Sequence, residues 1–465
     1  MHSPNKNFSD EVKQLKALYA QYKEQGLKDY FRFLEFKSIS SEQAYKDEVI
    51  ACSKWLIAYL KEIGFEVEVW ETKGHPTIFA THLKAGPDQP TLLIYNHYDV
   101  QPIDPLELWM SPPFTPTIRD GEVYARGAQD DKGQCFYVLL ALKALIESGV
   151  GLPINIKLCI EGEEECGSFG LSEILESKSK QLQADYLAVV DVGFDSLSKP
   201  AITLGLRGLV TMDVELTGSD TDFHSGLHGG IALNPNHCLV KLLSLLRDDK
   251  GKIVIPGFYD DVATLSDEAR QNLMWDFDSE EYTQNFGALP NGGEIDFTPL
   301  ERNWLRPTLE INGINGGYTG QGFKTVIPAK ASAKISCRLV ANQKPQVIGK
   351  LVKDYLKSHV PSGMQIAVHV HPGGGDPVMA DVTSKAAKAF ITAYSEVFGI
   401  PCQAVYHGAS IPIVPKLSKV SNAEVVLVGL GLPKDCIHAP NEHFGIKRIE
   451  IGFLTVARAL MHLKR

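Results

Sequence analysis

Five places in this chain set acids or histidines where an apolar run ends or a helix begins. Residues 92–95 run into Asn96-His97-Tyr98-Asp99, and residues 158–160 into Glu161-Gly162-Glu163-Glu164-Glu165. Residues 187–190 lead to Asp191, and residues 425–428 lead, past a Gly-rich turn, to His438. Asp130-Asp131 stands just ahead of an apolar-faced helix that starts at Gly133. In open α/β sheets, ligands bind beyond the carboxyl ends of strands. Taken singly, each residue has a plainer reading: Asp131 as a helix cap, residues 163–165 as a solvated face, His97 as a core histidine. Five junctions with the same chemistry carry more weight than any one of them.

Clustered carboxylates repel unless cations neutralise them. Two His with several Asp and Glu suit a divalent metal of the zinc type, or manganese. A shared carboxylate can hold two such ions about 3.5–4 Å apart, which lowers the pKa of a water towards about 7 and polarises a carbonyl. Hydrolysis then needs one carboxylate left free to move a proton from water to leaving group. The adjacent Glu164 and Glu165 suit that division of labour.

The elements needed to position these groups are legible. Apolar spacing over residues 11–34 predicts a helix, and Ser40 with Gln43 has the form of a capping box opening a second one that runs to Gly64. Residues 65–70, 77–82 and 91–95 read as strands. Helix 133–148, strand 154–160, helix 171–182 and strand 186–190 then alternate, as in a mixed sheet with helices on both faces. From residue 201 the order becomes strand, helix, strand, strand, helix, strand, which predicts an inserted α+β domain: a four-stranded antiparallel sheet with two helices. Gly373-Gly374-Gly375 reads as a hinge or loop. After it come helix 384–398, strand 424–428 and a closing helix 446–463. The expected division is a discontinuous catalytic domain over 1–200 and 376–465, and a smaller domain over 201–375.

Composition removes other classes. With Lys+Arg 46 against Asp+Glu 56, the net charge is −10, and a nucleic-acid partner is not expected. No apolar run is long enough for a membrane span, and the first residues carry no secretory h-region. The eight cysteines form no CxxC pair and read as reduced thiols of a cytoplasmic protein. Phe323 between Gly322 and Lys324 breaks a would-be phosphate loop, and neither GxSxG nor a post-strand GxGxxG occurs. An acid-flanked Cys166 is expected to have a raised thiol pKa, unsuited to a nucleophile.

Three segments together resemble the M20 family of metallopeptidases, most nearly its dipeptidase branch. They are Asn96-His97-Tyr98-Asp99-Val100-Gln101-Pro102, Arg126-Gly127-Ala128-Gln129-Asp130-Asp131-Lys132-Gly133 and Glu161-Gly162-Glu163-Glu164-Glu165-Cys166-Gly167-Ser168. The resemblance implies a di-zinc exopeptidase fold with a lid and dimerisation domain, a homodimer, and dipeptide substrates. It implies that His97 and Asp191 bind one metal, Glu165 and His438 the other, and that Asp130 bridges them across a cis peptide to Asp131. Asp99 would orient His97, and Glu164 would be general base and acid. His224 would reach a partner subunit's site to stabilise an oxyanion, Arg338 would grip the substrate carboxylate, and Thr325, Gly408 and Ser410 would touch substrate. Asn96 and Ala125 stand where the family usually has Gly, and His407 where an acidic residue or Gly is common.

Two rival readings keep the same scaffold. One is an N-acyl amino acid amidohydrolase or a carboxypeptidase using the same site. The other is a non-catalytic metal-binding protein, against which Asp99 and Glu164 count because such a protein has no need of unligated acids.

Overall fold

The computed structural model describes residues 6–263, 276–372, 374–408 and 411–465. The chain forms two compact units, one of Met1–Leu204, Ala380–Val405 and Ile413–Arg465, the other of Gly205–Met379 and Tyr406–Pro412.

The first unit is built on a large mixed sheet. Seven of its strands lie in the order Glu66–Trp70, Thr77–His82, Asn155–Glu161, Thr91–His97, Tyr186–Val190, Glu424–Val428, Ala201–Leu206. The central strands Asn155–Glu161, Thr91–His97, Tyr186–Val190 and Glu424–Val428 are parallel, so their carboxyl ends share one edge. Buried on both faces, these strands are almost continuously apolar, as parallel strands between helices must be. Helix Lys132–Glu147 is buried along nearly its whole length and packs on Lys6–Glu35 and Ile446–Leu463. Its all-round apolar surface suits that central place, with each fully buried Leu, Val or Phe contributing about 1.5–3 kcal/mol. Helices Lys46–Glu62 and Val414–Ser421 pack on sheet strands in turn.

Two local expectations are corrected. Ser40 does not cap a helix: a short 3₁₀ turn, Gln43–Tyr45, precedes helix Lys46–Glu62, and neither has a side-chain cap. The Ser40 hydroxyl instead donates to Asp99 Oδ2 at 2.6 Å, because a fully buried carboxylate needs donors. The helix expected over 171–182 is broken into Phe169–Ile174, a 3₁₀ turn and Ser179–Leu182.

The second unit carries an antiparallel sheet in the order Thr308–Gly316, Lys330–Leu339, Gly208–Thr217, Gln365–Val370. Gly208–Thr217 and Lys330–Leu339 bury alternate residues, as a sheet with one covered face does. Helices Pro235–Ser244 and Pro345–His359 pack on that face around Val214, Leu216, Leu239, Ile335 and Val352. Of the expected hinge, Gly373 lies outside the described residues. No helix among the described residues is long and apolar enough to cross a membrane.

Candidate metal centre

His97 ends its strand in register with Glu161 on the parallel neighbour, which brings the loop after Glu161 to the same rim. The imidazole is fully buried. Its Nε2 lies 3.1 Å from Asp130 Oδ1 and 3.8 Å from Asp191 Oδ1, and its Nδ1 lies 3.3 Å from Asp99 Oδ1. His438 Nε2 lies 3.0 Å from the other Asp130 oxygen and 3.3 Å from Glu165 Oε2. Among the described residues, two groups thus have ligand atoms mutually within 4.8 Å: His97, Asp130 and Asp191, and Asp130, Glu165 and His438. Asp130 belongs to both. The Asp130–Asp131 peptide is cis.

The charges within this cluster are unbalanced. Burial, reinforced by neighbouring acids, holds Glu164, Glu165 and Asp131 well above the usual carboxylate range and raises Asp191. Burial would raise Asp130 too, but hydrogen bonds from His438 and His97 hold it below the ordinary value. Burial works to lower His97, yet its bonds to Asp130, Asp191 and Asp99 raise it well above a free histidine. The bond to Asp130 raises His438. Imidazole and carboxylate donors at this spacing, with negative charge in surplus, fit a pair of divalent cations.

A surrounding layer fixes the donors. Asp99 Oδ1 accepts from the Glu164 amide at 3.2 Å and Oδ2 from the Glu165 amide at 3.1 Å, so one carboxylate steadies both glutamates. Gln101 Nε2 donates to Glu165 Oε2 at 2.8 Å. Glu163 turns away from the cluster and accepts from the Gly170 amide. A Cβ at Gly74 would stand 1.8 Å from a Glu163 oxygen, so a larger residue there would require the Glu163 carboxylate to shift. Asp131 makes no cap bond to its helix; its Oδ2 accepts from Asn96 Nδ2 and the His97 amide. The Cys166 thiol is pushed up to about 11, mainly by burial.

Glu442 was not apparent in the sequence. It is buried, and it accepts from Arg126 Nη1 and from the amides of Gly127, Gln129 and Asp130. It also lies four residues after His438. A small sheet of Thr117–Arg119, Glu122–Tyr124 and His443–Gly445 sets that turn in place. The one available signal was Arg126, a cation in an apolar stretch that needs a partner.

The remaining expected site residues lie in the second unit. His224 and Thr325 line an open cavity of about 670 Å³. His224 Nδ1 accepts from the Gly226 amide at 3.0 Å, which leaves Nε2 as the donor of the neutral ring. Arg338 is half-buried on strand Lys330–Leu339. Arg207, also not anticipated, donates to the Gly408 carbonyl at 2.8 Å. Burial and the charge of Arg338 push it down to about 10. Ser410 lies outside the described residues.

Comparison with known proteins decides the family. Residues 93–462 match the family model Peptidase family M20/M25/M40. The chain belongs to this family. It is 31% identical over 437 residues to the Cys-Gly metallodipeptidase dug1 of Schizosaccharomyces pombe, covering 88% of this chain and 90% of that protein. It is 35% identical over 374 residues to the Beta-Ala-His dipeptidase of Mus musculus, covering 79% and 76%. Among solved structures, the M20 family metallo-carboxypeptidase Sso-CP2 from Sulfolobus solfataricus matches with a TM-score of 0.84 and 33% identity, over 94% of this chain and 99% of that one. The mixed α/β architecture expected from the sequence is therefore that of the family, and the chain is a peptide-bond hydrolase of the M20 type.

Proposed function

We propose that this M20 enzyme is a dipeptidase with two metal sites. His97 and Asp191 would hold one ion, Glu165 and His438 the other, and Asp130 both. The observation that carries this is Asp130, whose two oxygens face two different histidines at 3.1 and 3.0 Å. Two bound divalent cations, zinc first and manganese as the alternative for this donor set, would acidify water and polarise the scissile carbonyl. Glu164 takes the proton of the attacking water and returns it to the leaving amine. It lies beside the cluster but in neither ligand group, as a carboxylate that carries a proton in both steps must. Asp99 keeps His97 oriented and Glu164 in place.

In the proposed division, residues 1–200 and 376–465 are catalytic and 201–375 form a lid and dimerisation domain. Arg338 would bind the substrate carboxylate, with Thr325, Gly408 and Ser410 as further contacts. His224 would donate from Nε2 to the developing oxyanion of a partner subunit's substrate. A homodimer through this domain is supported by its highly exposed apolar side chains, Leu227 at 71%, Ile231 at 81% and Phe323 at 99% exposure. The eight cysteines are free thiols, in keeping with a cytoplasmic enzyme.

The likeness to a metallo-carboxypeptidase gives the rival substrate class. Metal analysis coupled to a panel of dipeptides, N-acetyl amino acids and longer peptides, before and after chelation, tests the reading. Two ions per chain and metal-dependent cleavage of dipeptides are expected. Cleavage confined to longer peptides or acyl amino acids would favour the rival, and a metal-loaded sample inert on every amide would favour a scaffold.

A further inference from the structure

Asn96 stands at the last strand position before His97 and is buried, with 2% exposure. Its two amide protons go to different elements. Nδ2 lies 2.7 Å from Asp131 Oδ2 and 2.9 Å from the Val190 carbonyl. Asp131 follows Asp130, and Val190 precedes Asp191. One carboxamide therefore touches the chain next to each member of the group formed by His97, Asp130 and Asp191. Of the other group, formed by Asp130, Glu165 and His438, only the shared Asp130 has a neighbour bonded to it. Backbone pairing accounts for only part of this arrangement: the Thr91–His97 and Tyr186–Val190 strands are paired at Tyr95 with Val189, and Asp130 sits in a loop outside the sheet.

We propose that Asn96 is a positioning residue that presets the His97–Asp130–Asp191 group for a cation by cross-linking the three segments that carry it. The inference rests on the metal-centre reading above and goes beyond it in separating the two groups. An alanine or glycine at 96 leaves Asp131 Oδ2 with only the His97 amide, while Asp131 Oδ1 is already a buried oxygen without a hydrogen-bond partner. The side-chain tie from the strand of His97 to the Val190 carbonyl beside Asp191 is then lost, while Asp130, shared by both groups, keeps its amide bond to Glu442. Since outer hydrogen bonds to a metal site commonly change affinity 10–100-fold, the loss should fall on one ion and spare the other.

Cobalt(II) titration of the metal-free full chain, read by visible absorption and calorimetry, tests this. Binding in two steps is expected for the unaltered chain, with His97→Ala and His438→Ala assigning a step to each group. Asn96→Ala should weaken the His97 step about tenfold or more and leave the His438 step within about twofold. Asn96→Asp keeps the shape and removes the N–H donors, and should weaken the same step at least as much. The spared step doubles as evidence of folding. Unchanged affinity of the His97 step in both variants, or equal weakening of both steps, overturns the assignment of Asn96. Failure of the unaltered chain to take up cobalt overturns the metal-centre reading itself and this inference with it.

Discussion

Arg126 Nη1 and Glu442 Oε2 lie 2.8 Å apart with each side chain 1% exposed. The pair joins the loop that carries Asp130 to the turn that carries His438, because Glu442 also accepts three backbone amides from residues 127–130. Removing one partner of a buried pair leaves an uncompensated charge and costs about 3–5 kcal/mol. Glu442→Ala should therefore lower the stability measured by urea unfolding by about that amount. Arg126→Met, which leaves the three amide bonds in place, should cost less. The double variant should fall short of the sum of the two. Additive losses would mean that the two side chains act independently.

Glu164 is half-buried beside the cluster but belongs to neither ligand group. Glu164→Gln should keep two ions per chain and lose about 10²–10⁴-fold in kcat, the usual contribution of a general base. Elemental analysis and steady-state kinetics on the same sample check it. Loss of metal together with activity would make Glu164 a ligand instead.

Glu161 supplies a pH signature. Burial, with a smaller push from Asp99, raises its carboxyl from 4.5 to about 8, against bonds from Tyr95 and Ser168. The folded chain keeps this proton up to about pH 8, and the unfolded chain loses it above 4.5. Its contribution to stability is therefore full below pH 4.5 and fades as pH rises through about 8. Glu161→Gln can accept the same two hydrogen bonds at Oε1 without ionising. It should flatten the decline of urea-unfolding free energy between pH 5 and 8 in the metal-free chain. Parallel curves for the two proteins would exclude this role.

Much of the centre could be read from the sequence because parallel strands announce themselves as apolar runs, and their carboxyl ends mark the rim. His97, Asp191 and the acids after Glu161 were placed in that way. What escaped is long-range. Ser40 and Gln43 match a capping box locally, but Asp99, 59 residues away, takes the hydroxyl. Glu442 meets the Asp130 amide across 312 residues, and no local period encodes that. Asn96 stood out only as a departure from an expected glycine; its two bonds need the fold to be known. The helix expected over 171–182 failed because apolar spacing does not reveal where a helix breaks into short turns.

His224 offers a test of sharing between subunits. Its ring is exposed, and the Gly226 amide on Nδ1 directs the remaining N–H to Nε2. If that donor serves the partner's site, His224→Ala alone should lose about 10²–10³-fold in kcat, the effect of removing one oxyanion donor. Glu164→Gln alone is similarly inactive. Mixed dimers of the two variants pair an intact Glu164 site with an intact His224 from the other chain. They should recover one working site in two, about half the unaltered specific activity per dimer. Recombining the purified variants and assaying the isolated mixed dimer checks this, and no recovery would confine His224 to its own chain.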